Sequence, residues 1–526
     1  MKRIILRKDS YYDSVFLMLI SADIKKMDGV SEAVVAMGTE MNLDLLNGMG
    51  MTGPELKEAG ANDLIIAVEA ADQAAVEAAE AEVDQLLNKK AQSGDEDTYR
   101  PSSTAAALEN VPEANMVIIS LPGQYAAREA RKAIQADKHV MLFSDNVSLE
   151  NEVSLKKLAQ ERGVLMMGPD CGTAIINGRP LCFANVVPRG PVGVVSASGT
   201  GLQEVTSAIA KAGSGVSQGI GTGGRDLKSE EVGGITTLMA IEALKNDPDT
   251  TVIVVISKPP AKSIAKKVID ALKGCGKPAV IHLIGMEGDD GPKAAPKVEG
   301  NIHYAANLEE AALLSAAIAA GKSYTRTVFD ASDADIDALV RKETETISSK
   351  QKYLRGYFTG GTLTDEAVFV LNKELGGIYS LDPVDPKFKL ADPQVSQKHT
   401  ILDLGEDVFT VGRPHPMIDP SIRTERMDRE TNDPEVAAVL LDCVIGFGSH
   451  EDPAGAMVPS IRTMKKAAED RGGYLTVVAS VTGTEGDFQN INAQKRRLEE
   501  AGVVVMPSNH QAAQLVKRIM ATLGAR

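Results

Sequence analysis

The chain of 526 residues has no tryptophan, and aromatic residues make up only 4% of it. Stacking platforms for nucleic-acid bases need exposed rings, and a net charge of −16 opposes a phosphodiester backbone, so no nucleic acid is expected as a partner. The cysteines, Cys171, Cys182, Cys275 and Cys443, are too few and too scattered for a disulfide framework. No CxxC pair or Cys/His cluster proposes a metal site, so the expected metal is none. No apolar run approaches the ~20 residues of a membrane span, and none follows the opening MKRIILRKDS. These absences predict a soluble, cytoplasmic protein whose partners are small molecules or other proteins.

What is present is globular, with 43% hydrophobic and 24% charged residues. The length exceeds one ordinary core, so several domains are expected. The chain is organised around PVGVVSASGTGLQEVTSAIAKAG, residues 191–213: an apolar strand, a turn of small residues, then Leu202, Val205 and Ile209 at helical spacing. Such a turn lets backbone N–H groups converge on an anion at the positive end of the following helix. Ser196, Ser198, Gly199, Thr200 and Gly201 are therefore candidate anion binders. The plainer reading is a short strand-to-helix connection that binds nothing. Similar turns recur at GIGTGGRDL, FTGGTLT, GFGSHEDPAGA and VTGTEGD, which predicts one shared polar cleft. They add Gly223, Gly224, Arg225, Thr359, Gly360 and Gly361 to the candidates.

In chain order, residues 1–92 read as a small α/β module, with the methionines at 37, 41, 49 and 51 as core filling or packing. The polar run from Asn88 to Ser103 is the clearest linker. Residues 104–188, 189–325 and 350–526 each alternate apolar strands with helices, the pattern of parallel sheets covered by helices, and the fold class is α/β. In such sheets ligands gather at the carboxyl ends of the strands. Cys171 lies at one strand end without a visible cationic partner and reads as structural. In the last domain GRPHPMIDP concentrates Arg413 and His415 among prolines, and GFGSHEDPAG carries His450 beside two acids. His415 leads as acid/base candidate, with His450 second, and a rigid turn bearing an incidental histidine stands equal to it.

Residues 104–320 resemble the α subunit of succinyl-CoA synthetase and related acyl-CoA ligases, on VIISLPG, GVLMMGPDCGT, VGVVSASGTGLQEV and GIGTGGRDL. From end to end the chain is similar to the FdrA family, on DSVFLMLIS, MGPDCGTAIINGRPLCFANV, GGRDL, SKPPA, FTGGTL, VGRPHPMIDP and VTGTEGD. The resemblance implies Rossmann-like and flavodoxin-like domains of succinyl-CoA synthetase type. It labels 104–188 a CoA-binding-type domain and 350–526 a CoA-ligase-like one.

The chain departs from the ligases in three ways. His282 lies inside a predicted strand without their Gly-His-Ala-Gly setting, the module at 1–92 lacks their Gly-rich CoA loop, and no ATP-grasp segment is found. The FdrA resemblance instead implies an oxamate carbamoyltransferase of allantoin and purine catabolism, converting oxalurate and phosphate to oxamate and carbamoyl phosphate. It would work with companion subunits in an oligomer on a small anionic substrate. In that role Ser196 to Gly201 would cradle phosphate, Arg225 would grip it with Asp226 orienting the guanidinium, and Lys258 would lie at the same edge. The alternatives are an acyl-CoA ligase subunit, which would bind CoA, and a scaffold whose turns are structural.

Overall fold

The computed structural model describes residues 1–525 except 11, 13, 93–100, 102, 286–294 and 411–412. The side chains at 14, 15, 22, 40, 41, 44 and 88–92 are also outside the described set. Part of the predicted linker, residues 286–293 of HLIGMEGDDGPK, Gly412 and the Met41 side chain therefore lie outside the description. The chain divides into two compact units: Met1–Ser102 with Thr410–Pro414, and Ser103–Phe409 with His415–Arg526.

In the smaller unit Lys2–Arg7 and Val30–Met37 flank Leu64–Ala70 in a three-stranded antiparallel sheet. The alternation of the second strand, with Ala33, Val35 and Met37 inward, puts one face of the sheet against the helices Ser14–Lys25 and Gln73–Gln92. Met37 and Met51 are buried and Met49 is exposed, so the methionine run does not form one stripe.

Among the described residues the larger unit holds three sheets. Met116–Ile119, His139–Leu142 and Met166–Met167 form a small parallel sheet in sequence order. An eight-stranded sheet has Val252–Ser257 and Arg189–Ser196 near its centre, flanked by Ala279–Leu283 and Val216–Gly221. A five-stranded parallel sheet runs in the order Thr400–Asp403, Tyr353–Phe358, Val436–Val444, Thr476–Thr482, Val504–Met506. Central strands buried on both faces explain the uninterrupted apolar runs in the sequence.

The expected boundary at 188/189 is crossed. The hairpin Thr173–Ile176 and Arg179–Cys182 leaves the small sheet and closes one edge of the eight-stranded one. Asn177 and Gly178, both at positive φ, make its two-residue turn, a signal already present in IINGRP. The boundary between the second and third predicted domains separates sheets but not cores. Val194 and Leu202 of one, Leu363, Val478 and Ile519 of the other, and Ile336 and Val340 of the connecting helix Asp333–Thr344 belong to one apolar cluster. Two sheets sharing a core form one body.

Candidate active site

Two strand-helix turns meet at the carboxyl ends of the two large sheets. The strand Arg189–Ser196 passes through Ala197 and Ser198 into the helix Gly199–Lys211, and Tyr353–Phe358 passes through Thr359 and Gly360 into the helix Gly361–Asn372. The helix ends abut. A Cβ on Gly360 would lie 2.8 Å from Thr200 Oγ1, and one on Gly201 would lie 3.1 Å from Thr362 Cγ2. Glycine at both positions is therefore a condition of the approach, and the Thr362 hydroxyl donates to Ser198 Oγ across it.

Most of the predicted hydroxyl donors are turned to the fold. Ser196, fully buried, donates from Oγ to the Ser198 carbonyl at 2.7 Å, and Ser198 Oγ caps its helix by accepting the Gly201 N–H at 3.1 Å. Thr359 donates through both N–H and hydroxyl to the buried carboxylate of Asp442, which also accepts from Arg423 Nη1 at 2.8 Å. What faces the gap is the backbone. The N–H groups of Gly199, Thr200, Gly361 and Thr362 have no acceptor among the described residues, and they carry the positive ends of two helix dipoles.

Beside these ends sits Lys258, next after the strand Val252–Ser257, its Nζ 3.8 Å from Asp365. Lys258 Nζ and Asp403 Oδ2 both crowd the Cα of Gly361, where any side chain would displace them. Asp403 ends its strand, and its Oδ1 accepts the Gly405 N–H at 2.9 Å. On the other side the ring of His415 and Asp403 Oδ1 both lie against the Cα of Gly405. Asp403 thus stands between an ammonium and an imidazole. Loss of solvation pushes its carboxyl up to about 7, opposed by Lys258 and reinforced by Glu406. Asp170, open to water but ringed by protein, is pushed up to about 6 for the same first reason. Lys258 is raised by Asp365, Asp403, Glu406 and Asp170 acting against its own desolvation, so it stays an ammonium at neutral pH.

His415 is half-buried, accepts the Met417 N–H on Nδ1 at 3.2 Å and packs against Phe183 with ring centroids 5.8 Å apart. That bond assigns the proton to Nε2. Desolvation, with Arg423 as a second cause, holds the ring down to about 4, so it is neutral at pH 7. The expected acid/base role is therefore limited to the neutral ring, and Asp403 is the group poised to carry a proton near neutrality. We expect Gly405→Val to expel the His415 ring. The imidazole resonances should then titrate near the ordinary value of about 6.5 instead of 4; an unmoved titration would contradict the packing described.

Other predictions are corrected by the geometry. Arg225 does not pair with Asp226: its Nε binds Glu152 at 2.7 Å and its Nη2 the Val147 carbonyl at 2.6 Å. Asp226 is buried and accepts from Lys156 Nζ at 2.7 Å and from Thr237 through N–H and hydroxyl. The pair is thus split between two structural networks. Gly223 at positive φ lies against the Pro169 backbone, and a Cβ on Gly224 would be 3.7 Å from Asp170 Oδ2, so this turn seats Asp170 and does not grip an anion through Arg225.

His450 is engaged in its own turn, accepting the Asp452 N–H on Nδ1 at 3.0 Å. Arg413 falls in the smaller compact unit and His415 in the larger. The turn at 446–448 packs on 182–185, and Asp487 of VTGTEGD binds Asn185 and the Val186 N–H. The expected single cleft is thus two facing turns, one supporting turn, and two that hold a neighbouring segment. Cys171 is buried with its thiol pushed up to about 12, which fits a structural cysteine.

Asp403 and Asp365 escaped the sequence reading; Asp403 ends a predicted strand, which was its one signal, and Asp365 lies inside the helix Gly361–Asn372. His282 stays inside the strand Ala279–Leu283, its Nδ1 bonded to the Ala305 carbonyl at 3.0 Å, and burial holds it down to about 4. It is not presented to solvent for phosphorylation.

Among the described residues no group of three His, Cys, Asp or Glu could hold a metal ion, and no helix is long and apolar enough to cross a membrane. Comparison with known proteins matches residues 1–103 to the family "AllF, heavy metal-associated domain", 189–285 to "CoA binding domain" and 357–519 to "CoA-ligase". Residues 1–103 contain neither cysteine nor histidine, so they offer no thiolate or imidazole ligand to a metal. The CoA-binding match falls one domain later than the resemblance placed it. The succinate–CoA ligase [ADP-forming] α subunit of Staphylococcus epidermidis is 26% identical over 30% of this chain and 51% of its own. The apo structure of the dinucleotide-forming acetyl-coenzyme A synthetase 1 of Ca. Korarchaeum cryptofilum covers 78% of this chain and 82% of its own at 16% identity and a TM-score of 0.28. The uncharacterized protein YahF of Escherichia coli (strain K12) is 44% identical over 98% of both chains. The chain therefore belongs to the YahF family, built on domains of the acyl-CoA ligase type.

Proposed function

We propose that this protein is an FdrA-like subunit that transfers a carbamoyl group between an amide nitrogen and phosphate, as in an oxamate carbamoyltransferase acting on oxalurate. The observation that carries the reading is the meeting of two helix N-termini beside Lys258 and Asp403, with first-turn N–H groups left without an acceptor among the described residues, in a chain whose His282 is sealed inside a sheet. Phosphate held by the four N–H groups and Lys258 would attack the carbamoyl carbon. The carbonyl oxygen becomes an oxyanion stabilised by the same donors; as the carbonyl re-forms the C–N bond breaks, the leaving nitrogen takes a proton from Asp403, and the proton that phosphate gives up on forming the C–O bond restores the Asp403 carboxylic acid. Carbamoyl phosphate and oxamate result, so atoms and charge balance without nucleotide. The neutral His415 ring, with its proton on Nε2, lies beside Asp403 at Gly405. Companion subunits in an oligomer would complete the oxalurate site.

The matches to CoA-binding and CoA-ligase families support a second reading, a subunit of an ADP-forming acyl-CoA ligase. Against it, the SASGTG turn is closed over by Thr362 and Gly360, which suits a small anion better than the diphosphate of CoA. The test is phosphate-dependent release of oxamate from oxalurate by the chain with its companion proteins, alongside calorimetry with CoA. If Asp403 is the acid, kcat falls as pH rises through about 7, because the carboxyl must be protonated to deliver its proton, and Asp403→Asn removes that limb with most of the activity. CoA binding without oxamate release would favour the ligase reading, and neither result would leave a scaffold.

A further inference from the structure

Thr173 opens the hairpin strand that reaches the eight-stranded sheet from the neighbouring domain, and it is only 1% exposed. Its backbone is fixed by pairing with Cys182, and its carbonyl accepts from Cys171 Sγ at 3.5 Å. Its Oγ1 is buried and makes no hydrogen bond. A Cβ on Gly199 would lie 3.2 Å from that oxygen, so the buried hydroxyl lies against the first residue of the helix, where glycine keeps a side chain from pressing on it. Buried hydroxyls are almost always paired, because leaving one unpaired disfavours the folded state.

The other unpaired groups at the same place, the N–H groups of Gly199 and Thr200, are donors only. Three hydrogen-bonding groups from two segments therefore converge without an acceptor, and the partner they lack is a group with several acceptor oxygens. We propose that Thr173 is an anion-binding residue, donating its hydroxyl to the phosphate held at the two helix ends. This rests on the reading of those ends as the phosphate site. The neighbouring domain then contributes to binding and does not only pack beside it.

The experiment is calorimetry of inorganic phosphate on the full-length chain and on Thr173→Val and Thr173→Ser, with melting temperatures measured without phosphate. Thr173→Val keeps the shape and removes the donor. Its affinity should fall about tenfold, or 1.4 kcal/mol, while the unliganded melting temperature stays level or rises, since no bond is lost from the free protein. Thr173→Ser should keep the affinity within about threefold of the parent chain. Unchanged affinity in Thr173→Val overturns the assignment, as does a lower unliganded melting temperature, which would make the hydroxyl structural. No phosphate binding by the parent chain overturns the phosphate site itself, a result distinct from both.

Discussion

Lys258→Met is expected to lower phosphate-dependent turnover about 10²- to 10³-fold, the loss usual when a preorganised donor to a developing anion is removed. The size follows from the surroundings. Lys258 is the cation that faces Asp365, Asp403, Glu406 and Asp170, so its removal leaves the helix ends to attract phosphate against several carboxylates. The same change removes the ammonium that lowers Asp403, whose carboxyl should move further above 7. The two effects separate in a pH profile: anion affinity drops at every pH, and the upper limb of kcat shifts to higher pH. Lys258→Arg keeps the charge but enlarges a group already pressed on Gly361, and should recover affinity only in part. Turnover within about threefold of the parent chain after Lys258→Met would remove this cleft from the chemistry.

The second large effect is on stability. Lys156 is completely buried and binds Asp226 at 2.7 Å, Glu152 at 3.1 Å and the Thr222 carbonyl at 2.9 Å, while Glu152 also binds Arg225. Lys156→Met leaves Asp226 without a counter-ion and Glu152 with Arg225 alone, in a region closed to water, and breaking such a network costs about 3–5 kcal/mol. Removing the carboxylates as well, in Glu152→Gln/Lys156→Met/Asp226→Asn, should restore part of the loss, because the larger cost is the unpaired charge and not the missing bond. Urea unfolding of the three chains reads this directly. A loss below about 1 kcal/mol in Lys156→Met would mean that water or a rearranged side chain replaces the lysine. The network also positions the site: it pins Thr222 to Asp226, and with them the turn that supports Asp170.

Much of this was legible in the order of residues. The strands of the three parallel regions run as apolar stretches of the expected length, and the small-residue turn at 196–201 joins its strand to its helix as expected. The Asn177–Gly178 turn is equally legible in IINGRP, and the hairpin it closes puts the expected boundary between the edge strands and the rest of the eight-stranded sheet. Arg225 and Asp226 illustrate the opposite error. Adjacent in sequence, they point to different partners, because neighbouring residues on a turn diverge and the choice falls to whichever opposite charge the packed helix Leu149–Arg162 presents.

By itself the sequence determined the alternation of strand and helix, the glycine-rich turns at strand ends, and so the edge of each sheet where chemistry could lie, since these depend on side-chain period and local backbone freedom. Only the tertiary structure decided which turns face each other and which serve as supports. Lys258, Asp403 and His415 lie more than a hundred residues apart at the extremes, and their proximity, with the displaced titration of the carboxyl and the imidazole, arises from burial and neighbouring charge that no local pattern encodes.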